Sequence, residues 1–282
     1  MIEVLDAGGL TLVQDLGRPG LAALGVSPSG AADEAAHRRA NVLAGNEPGA
    51  ATLEVAFGGL VLRSDVVAYV AVCGAPCPVD VDGLAVAMEH VHALAPGQVL
   101  TLGVPGRGLR SYVAVGGGID AAPVLGSRSR DTLAGLGPEP VRAGDRLPVG
   151  GQGSVATPPA HGVETAARSG AGPLDVVAGP HAELFAPDAF QRLLRSRYVV
   201  HADSDRVALR LDGPLLPRVA EVELPSEGLV RGAVQVPGDG RPIVFGPDHP
   251  LTGGYPVVAV LTRSASDAAA QLRPGDTVRF RS

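Results

Sequence analysis

Four polar stretches interrupt an otherwise apolar chain, and their residue types are those that do chemistry. They are Gln14-Asp15-Leu16-Gly17-Arg18, the run from Gly25 to Asp33 (GVSPSGAAD), Leu125-Gly126-Ser127-Arg128-Ser129-Arg130, and a C-terminal pair, SEGLVRGAVQVP (226–237) with TGGYP (252–256). Arg18 and Arg128 carry planar forks that bind carboxylate or phosphate through two parallel hydrogen bonds. Asp15 and Asp33 supply carboxylates. Gln14, Ser29, Ser226, Gln235, Thr252 and Tyr255 supply amides and hydroxyls. Convergent groups on loops are the usual material of binding sites. Taken singly, each also has a plain structural use: an Asp beside a turn bonds its own backbone, and an Asp at a helix start favours the dipole.

Other constellations are weaker. His90 and His92 form His-x-His, which places two imidazoles on one face of a strand, as in some metal sites. The acidic ligand such a site needs a few residues later is replaced by Pro96-Gly97-Gln98, so packed or exposed histidines and no metal are expected. The other five histidines are scattered, and no Ser-His-Asp order with a G-x-S-x-G elbow occurs. VGGGID (115–120) lacks G-x-G-x-x-G and reads as a turn. Cys73 and Cys77 have no further Cys or His pairs at ligand spacing and read as buried or loop thiols.

Composition excludes several chemistries. All 23 basic residues are arginine, and lysine is absent. The chain therefore has no Walker A loop, no lysine Schiff base and no attachment point for biotin. A net charge of −6 and a pI near 5.6 argue against nucleic acid as a partner. Hydrophobic residues make up 45% and aromatics 3% of the 282 residues, so the core must be built from Val, Leu and Ala. The start, MIEVLD, lacks a basic region and a long apolar run, so no secretory signal is expected. No run of about 18 apolar residues occurs, so no membrane span is expected either. A cytoplasmic location follows as the expectation.

These groups must be positioned by short strands. TLEVAFGG, VVAYVAV, RSYVAVGG, RVALRLDG and VVAVLTR are strand-length runs ended by turn residues. One helix is expected over Ala31–Ala44, with Ser29 as its cap, Asp33 and Glu34 in its first turn and Gly45 at its end. Shorter helices are expected at Pro187–Arg195 and Ser266–Leu272. A turn-then-strand signature recurs in LAPGQVLTLG (94–103), VRAGDRLPVG (141–150) and LRPGDTVRF (272–280). The stretch 151–173 is rich in Gly, Ala, Ser and Pro without periodicity, as a linker is. The reading is a mainly β chain with a few helices, in two β-rich halves, 1–155 and 170–282.

At its polar stretches the sequence resembles the biotin-dependent carboxyltransferase/allophanate hydrolase subunit 2 family. The resemblance rests on Gln14-Asp15-Leu16-Gly17-Arg18-Pro19-Gly20, Gly25 to Asp33, Ala40-Asn41-Val42-Leu43-Ala44-Gly45-Asn46 and Leu53-Glu54. Later it rests on Tyr112 to Gly118, Leu125 to Ser129, Ser204-Asp205-Arg206, Ser226-Glu227-Gly228, Gly232 to Pro237 and Gly253-Gly254-Tyr255-Pro256. The chain departs from the pattern at Ala32, at Val207-Ala208 and at Leu251, the last beside the Thr252 loop.

The resemblance implies two cyclophilin-like β-barrel domains in tandem, with some N-terminal segments crossing over and a cleft between the halves. It implies a separate partner, homologous to allophanate hydrolase subunit 1 or to the B component of 5-oxoprolinase, and for some members the A component of 5-oxoprolinase as well. The activity implied is ATP-dependent opening of 5-oxoproline to glutamate, with ATP and Mg at a site the sequence leaves unlocated. Two other readings are open: a carboxyltransferase-type component that acts on urea-like amides with biotin on another chain, or a non-catalytic regulator that binds an inhibitor of a kinase. The implied site comprises Asp15, Arg18 and Asp33 as catalytic groups. Gln14, Ser29, Asn41, Arg128, Ser226, Gln235, Thr252 and Tyr255 are its substrate-binding groups.

Overall fold

The computed structural model describes residues 1–151, 172–219 and 224–282, so the linker expected over 151–173 lies, apart from its ends, outside the described residues. The described chain is mainly β, with three short α-helices, and falls into two units. One comprises Met1–Arg18, Ser29–Asp131 and residues 135–151. The other comprises Pro19–Pro28, Thr132–Ala134 and the described residues from 172 onward. Among the described residues no helix is long and apolar enough to cross a membrane.

In the first unit, glycines bend long strands so that each serves two sheets. Ile2–Ala7 turns at Gly8-Gly9 and resumes as Leu10–Gln14; Thr52–Ala56 turns at 57–59 and resumes as Leu60–Ser64. The corners stack backbone on backbone. A Cβ on Gly8 would lie 2.1 Å from the Gly58 oxygen, and one on Gly58 would lie 2.1 Å from the Gly103 oxygen, both at positive φ. Only glycine fits there. The pieces join a six-stranded and a five-stranded sheet around one barrel-like core. Val4, Leu62 and Leu100 come from one sheet and Leu53, Val70 and Val113 from the other.

The outer face of the five-stranded sheet is covered by the helix Glu34–Leu43, whose Ala36, Ala40 and Leu43 pack on Ala71, Tyr112 and Ala114. The strand Arg110–Val115 is thereby buried throughout, which explains why RSYVAV shows no polar alternation. The helix starts three residues later than expected, and its cap is Asp33 rather than Ser29. The Asp33 carboxylate accepts from the Ala36 N–H at 2.9 Å. The preceding N–H groups are already engaged: Ala32 donates to Glu54 Oε2 at 2.8 Å and Asp33 to the Tyr112 hydroxyl at 2.7 Å. Ser29 has φ +53°, outside any helical lead-in. Gly45, at φ +75°, ends the helix as expected.

In the second unit eight strands form one sheet, beginning with Thr277–Val278 and ending with Phe280–Arg281. These are consecutive pieces of chain, one antiparallel to Tyr198–Val200 and the other parallel to Leu174–Ala178. The sheet therefore closes on itself, which removes its edges. Leu193, Leu211, Leu216, Val234 and Ala259 fill its core. The helix expected at Pro187–Arg195 spans Ala189–Arg195. The one expected at Ser266–Leu272 spans Arg263–Ala269, because the Thr262 hydroxyl accepts from Ala265 N–H and caps it earlier.

The recurring turn signature has one geometry. Gly97, Gly144 and Gly275 have φ between +88° and +92°. In each turn the side chain that follows the glycine reaches back to a backbone N–H at 2.8 Å: Gln98 to Ala95, Asp145 to Arg142 and Asp276 to Arg273. Positive φ at the third position is what a type II turn demands of its glycine.

Candidate functional site

Asp15 follows the strand Leu10–Gln14 and ties two distant loops together. Its Oδ1 accepts from the Gly17 N–H at 2.7 Å, the Ser127 hydroxyl at 2.6 Å and the Ser129 hydroxyl at 2.5 Å. Its Oδ2 accepts from the Arg128 N–H at 2.6 Å. Hydrogen bonds to a charged acceptor contribute about 1.5–3 kcal/mol each. With both oxygens engaged, this carboxylate ties the 127–129 loop to the Gly17 turn.

The flanking polar residues hang on the same loop. Gln14, fully buried, donates from Nε2 to the Arg130 oxygen at 2.8 Å, and the Ser29 hydroxyl donates to that oxygen at 3.3 Å. Arg18, 2% exposed, donates from Nε to the Val124 oxygen at 3.4 Å and from Nη2 to the Ser129 oxygen. Among the described residues, Gln14 Oε1 and Arg18 Nη1 are buried with no hydrogen-bond partner. Arg128 differs: it is partly exposed and its Nη2 pairs with Asp120 at 2.8 Å. Leu125, like Ser29, holds a left-handed backbone at φ +54°. Such conformations gather at functional sites.

Asp33 caps the helix Glu34–Leu43 and Asn41 lies within it. Asn41 is fully buried and donates to the Ala50 oxygen at 2.7 Å, while its own oxygen accepts from Asn46 at 3.0 Å. Beside it, His37 lies between Asn41 and the Thr52 hydroxyl. Burial lowers its pKa to about 4, against the opposing pull of Asp15 and Glu54, so the imidazole is neutral. Glu54 anchors the approach to the helix: it accepts from Ala32 and the Tyr112 hydroxyl and pairs with Arg110 at 3.3 Å.

A second polar group lies within the other unit. Glu227–Gly228 and Thr252–Gly253 form a two-stranded ladder, with Ser226, Thr252 and Tyr255 exposed. Gln235, buried, donates to the Tyr255 oxygen at 2.8 Å. His181 accepts from the Val257 N–H at Nδ1, so Nε2 carries the proton and donates to half-exposed Glu227 at 3.0 Å. In the same unit Arg206 grips buried Asp248 with both arms, at 2.8 and 3.1 Å, and Asp248 also accepts from Thr132 N–H and hydroxyl.

The remaining residues singled out from the sequence are accounted for locally. His90 and His92 bond to backbone carbonyls of Met88 and Ala87. Among the described residues no group of three potential metal ligands converges. Both cysteines are free, and burial raises both thiol pKa values, with Glu89 adding to the effect at Cys73. Glu54, Tyr112, His181, Arg206 and Asp248 are polar groups of these networks that the sequence does not mark as site residues. Each is joined to partners tens of residues away, a signal that no local spacing carries.

This arrangement matches a known domain. Residues 24–282 fit the family described as carboxyltransferase domain, subdomain A and B, and the chain belongs to that family. It is 37% identical to the C component of 5-oxoprolinase from Escherichia coli (strain K12) over 99% of this chain and 90% of that protein. With a urea amidolyase of Lachancea kluyveri the identity is 28% over 99% of this chain and 17% of that protein. Among solved structures, TTHA0988 superposes with a TM-score of 0.90 at 33% identity, and the Kluyveromyces lactis urea amidolyase with 0.88 at 28%. All of this chain matches TTHA0988 and 99% matches the amidolyase, so the chain spans 55% and 18% of those solved chains.

Proposed function

We propose that this chain is the C-type component of an ATP-dependent 5-oxoprolinase, acting in the cytoplasm with a B-type and an A-type homologue to open the lactam of 5-oxoproline to glutamate. The observation that carries this reading is the 37% identity spanning 99% of this chain and 90% of the Escherichia coli C component. The urea amidolyases match at lower identity and only as a small part of much longer chains. Since lysine is absent, any biotin in such an assembly resides on another chain.

When bound in the assembly, ATP with Mg would supply a phosphoryl group to activate the lactam oxygen. On this chain a group that fits an anionic part of such a ligand is Arg18, whose Nη1 is buried and has no partner among the described residues. In this reading Gln14 and Arg18 bind and orient, and Asp15 is a positioning residue that fixes the 127–129 loop around them. Ser226, Thr252, Gln235 and Tyr255 contribute further polar contacts from their own unit, and Glu227, held by His181, is the more accessible carboxylate for proton transfer.

The test is ADP and glutamate release by the chain co-expressed with its B- and A-type partners. Turnover that needs 5-oxoproline and every partner supports the reading. Stable assembly with ADP release on urea but not on 5-oxoproline replaces it with the carboxyltransferase alternative.

A further inference from the structure

We infer that Arg18 is the floor of a binding site for a small oxyanion, a carboxylate or a phosphate. The guanidinium is 2% exposed, yet among the described residues no carboxylate lies within ion-pair distance of it. Its two engaged arms meet only backbone carbonyls, of Val124 and Ser129, which accept hydrogen bonds but do not neutralise a charge. The nearest carboxylate along the chain, Asp15, is engaged by four other donors. The other arginines of this neighbourhood each have a carboxylate: Arg128 has Asp120, Arg130 has Glu139 and Arg110 has Glu54. Arg18 is the exception.

A buried cation without a counter-charge is costly, because solvation is lost and nothing replaces it. An oxyanion at Nη1 would supply both the missing charge and the missing hydrogen-bond acceptor. Gln14 is independent support. Its Oε1 is buried in the same loop system with no partner among the described residues, and as an acceptor it suits a ligand N–H. The 5-oxoproline molecule carries a carboxylate and a lactam N–H, whereas urea carries no charge. That choice of ligand rests on the oxoprolinase reading. The anion site rests on Arg18 and Gln14 alone.

Isothermal titration of the full chain with 5-oxoproline, inorganic phosphate and neutral 2-pyrrolidinone tests it. Binding of 5-oxoproline, of phosphate or of both is expected, weakened at least about tenfold in Arg18→Gln by loss of a charge-assisted bond. Arg63→Gln, which removes a surface pair with Glu3, should bind as the unmodified chain does. Binding of 5-oxoproline identifies a carboxylate site. Binding of phosphate alone keeps the anion site and removes 5-oxoproline as its ligand, leaving the oxoprolinase reading to the turnover assay. Arg18→Lys, which keeps the charge without the fork, provides a second variant if Arg18→Gln does not fold, and should bind at least about threefold more weakly. Binding of neither anion, equal affinity in the variants, or equally tight binding of 2-pyrrolidinone would overturn the inference.

Discussion

Arg18 and Arg206 are buried to the same depth, 2% and 3% exposed, one in each unit, and their surroundings are opposite. Arg206 is held by both oxygens of Asp248, which Thr132 further fixes with two hydrogen bonds. Arg18 meets two carbonyls and leaves one arm without a partner among the described residues. The first environment is complete without a ligand. It fastens Thr132, from the middle of the sequence, to a barrel built by residues from 172 onward. The second environment leaves a donor unused among the described residues, and that is the ground for assigning it a ligand. Burial and residue type alone do not separate the two arginines; the partner does.

The comparison can be sharpened by breaking one partner at a time. The largest effect is expected for Asp248→Asn, which keeps the shape but strands the Arg206 charge. Urea unfolding should show a loss of about 3–5 kcal/mol, the usual consequence of breaking a buried pair. A smaller effect is expected from pH. His37 is neutral in the fold with a pKa near 4, below its ordinary value of 6.5, so the unfolded chain binds its proton first as pH falls. Its contribution is fully present above pH 6.5 and is lost progressively down to about pH 4, reaching about 3 kcal/mol. Unfolding free energies of the wild type and His37→Gln measured across that range should converge toward low pH. The smallest loss is expected for Asp15→Asn, about 1–3 kcal/mol from weakened bonds to Ser127, Ser129 and Arg128. Its sharper signature is weaker anion binding at Arg18, because the loop bearing the Ser129 carbonyl is freed.

Local chemistry makes part of this legible. Glycine-bounded Val and Leu runs mark the strands, and Gly45 marks the end of the first helix. The start of that helix is ambiguous in the sequence because Ser29 and Asp33 are both good caps, and the choice falls to Glu54 and Tyr112 from neighbouring strands. The bends that let one strand serve two sheets are not legible. Gly8 and Gly58 announce turns, but that each packs against another backbone follows only from the assembled fold. At the site, the types of Gln14, Asp15 and Arg18 signal binding chemistry. The bond to the Gly17 N–H is a local one, but the other partners of Asp15 are hidden, since they lie more than 110 residues along the chain. The same holds for Arg206 and Asp248, joined across 42 residues with no periodicity between them.

The most direct measurement compares Arg18→Met with Arg206→Met in parallel urea unfolding. Removing Arg206 strands Asp248 and should cost about 3–5 kcal/mol. Removing Arg18 gives up two bonds to carbonyls but also relieves an unneutralised buried charge, so a loss below about 1 kcal/mol is expected. Equal losses would mean that Arg18 is as structural as Arg206, and would contradict the assignment of Arg18 to a ligand.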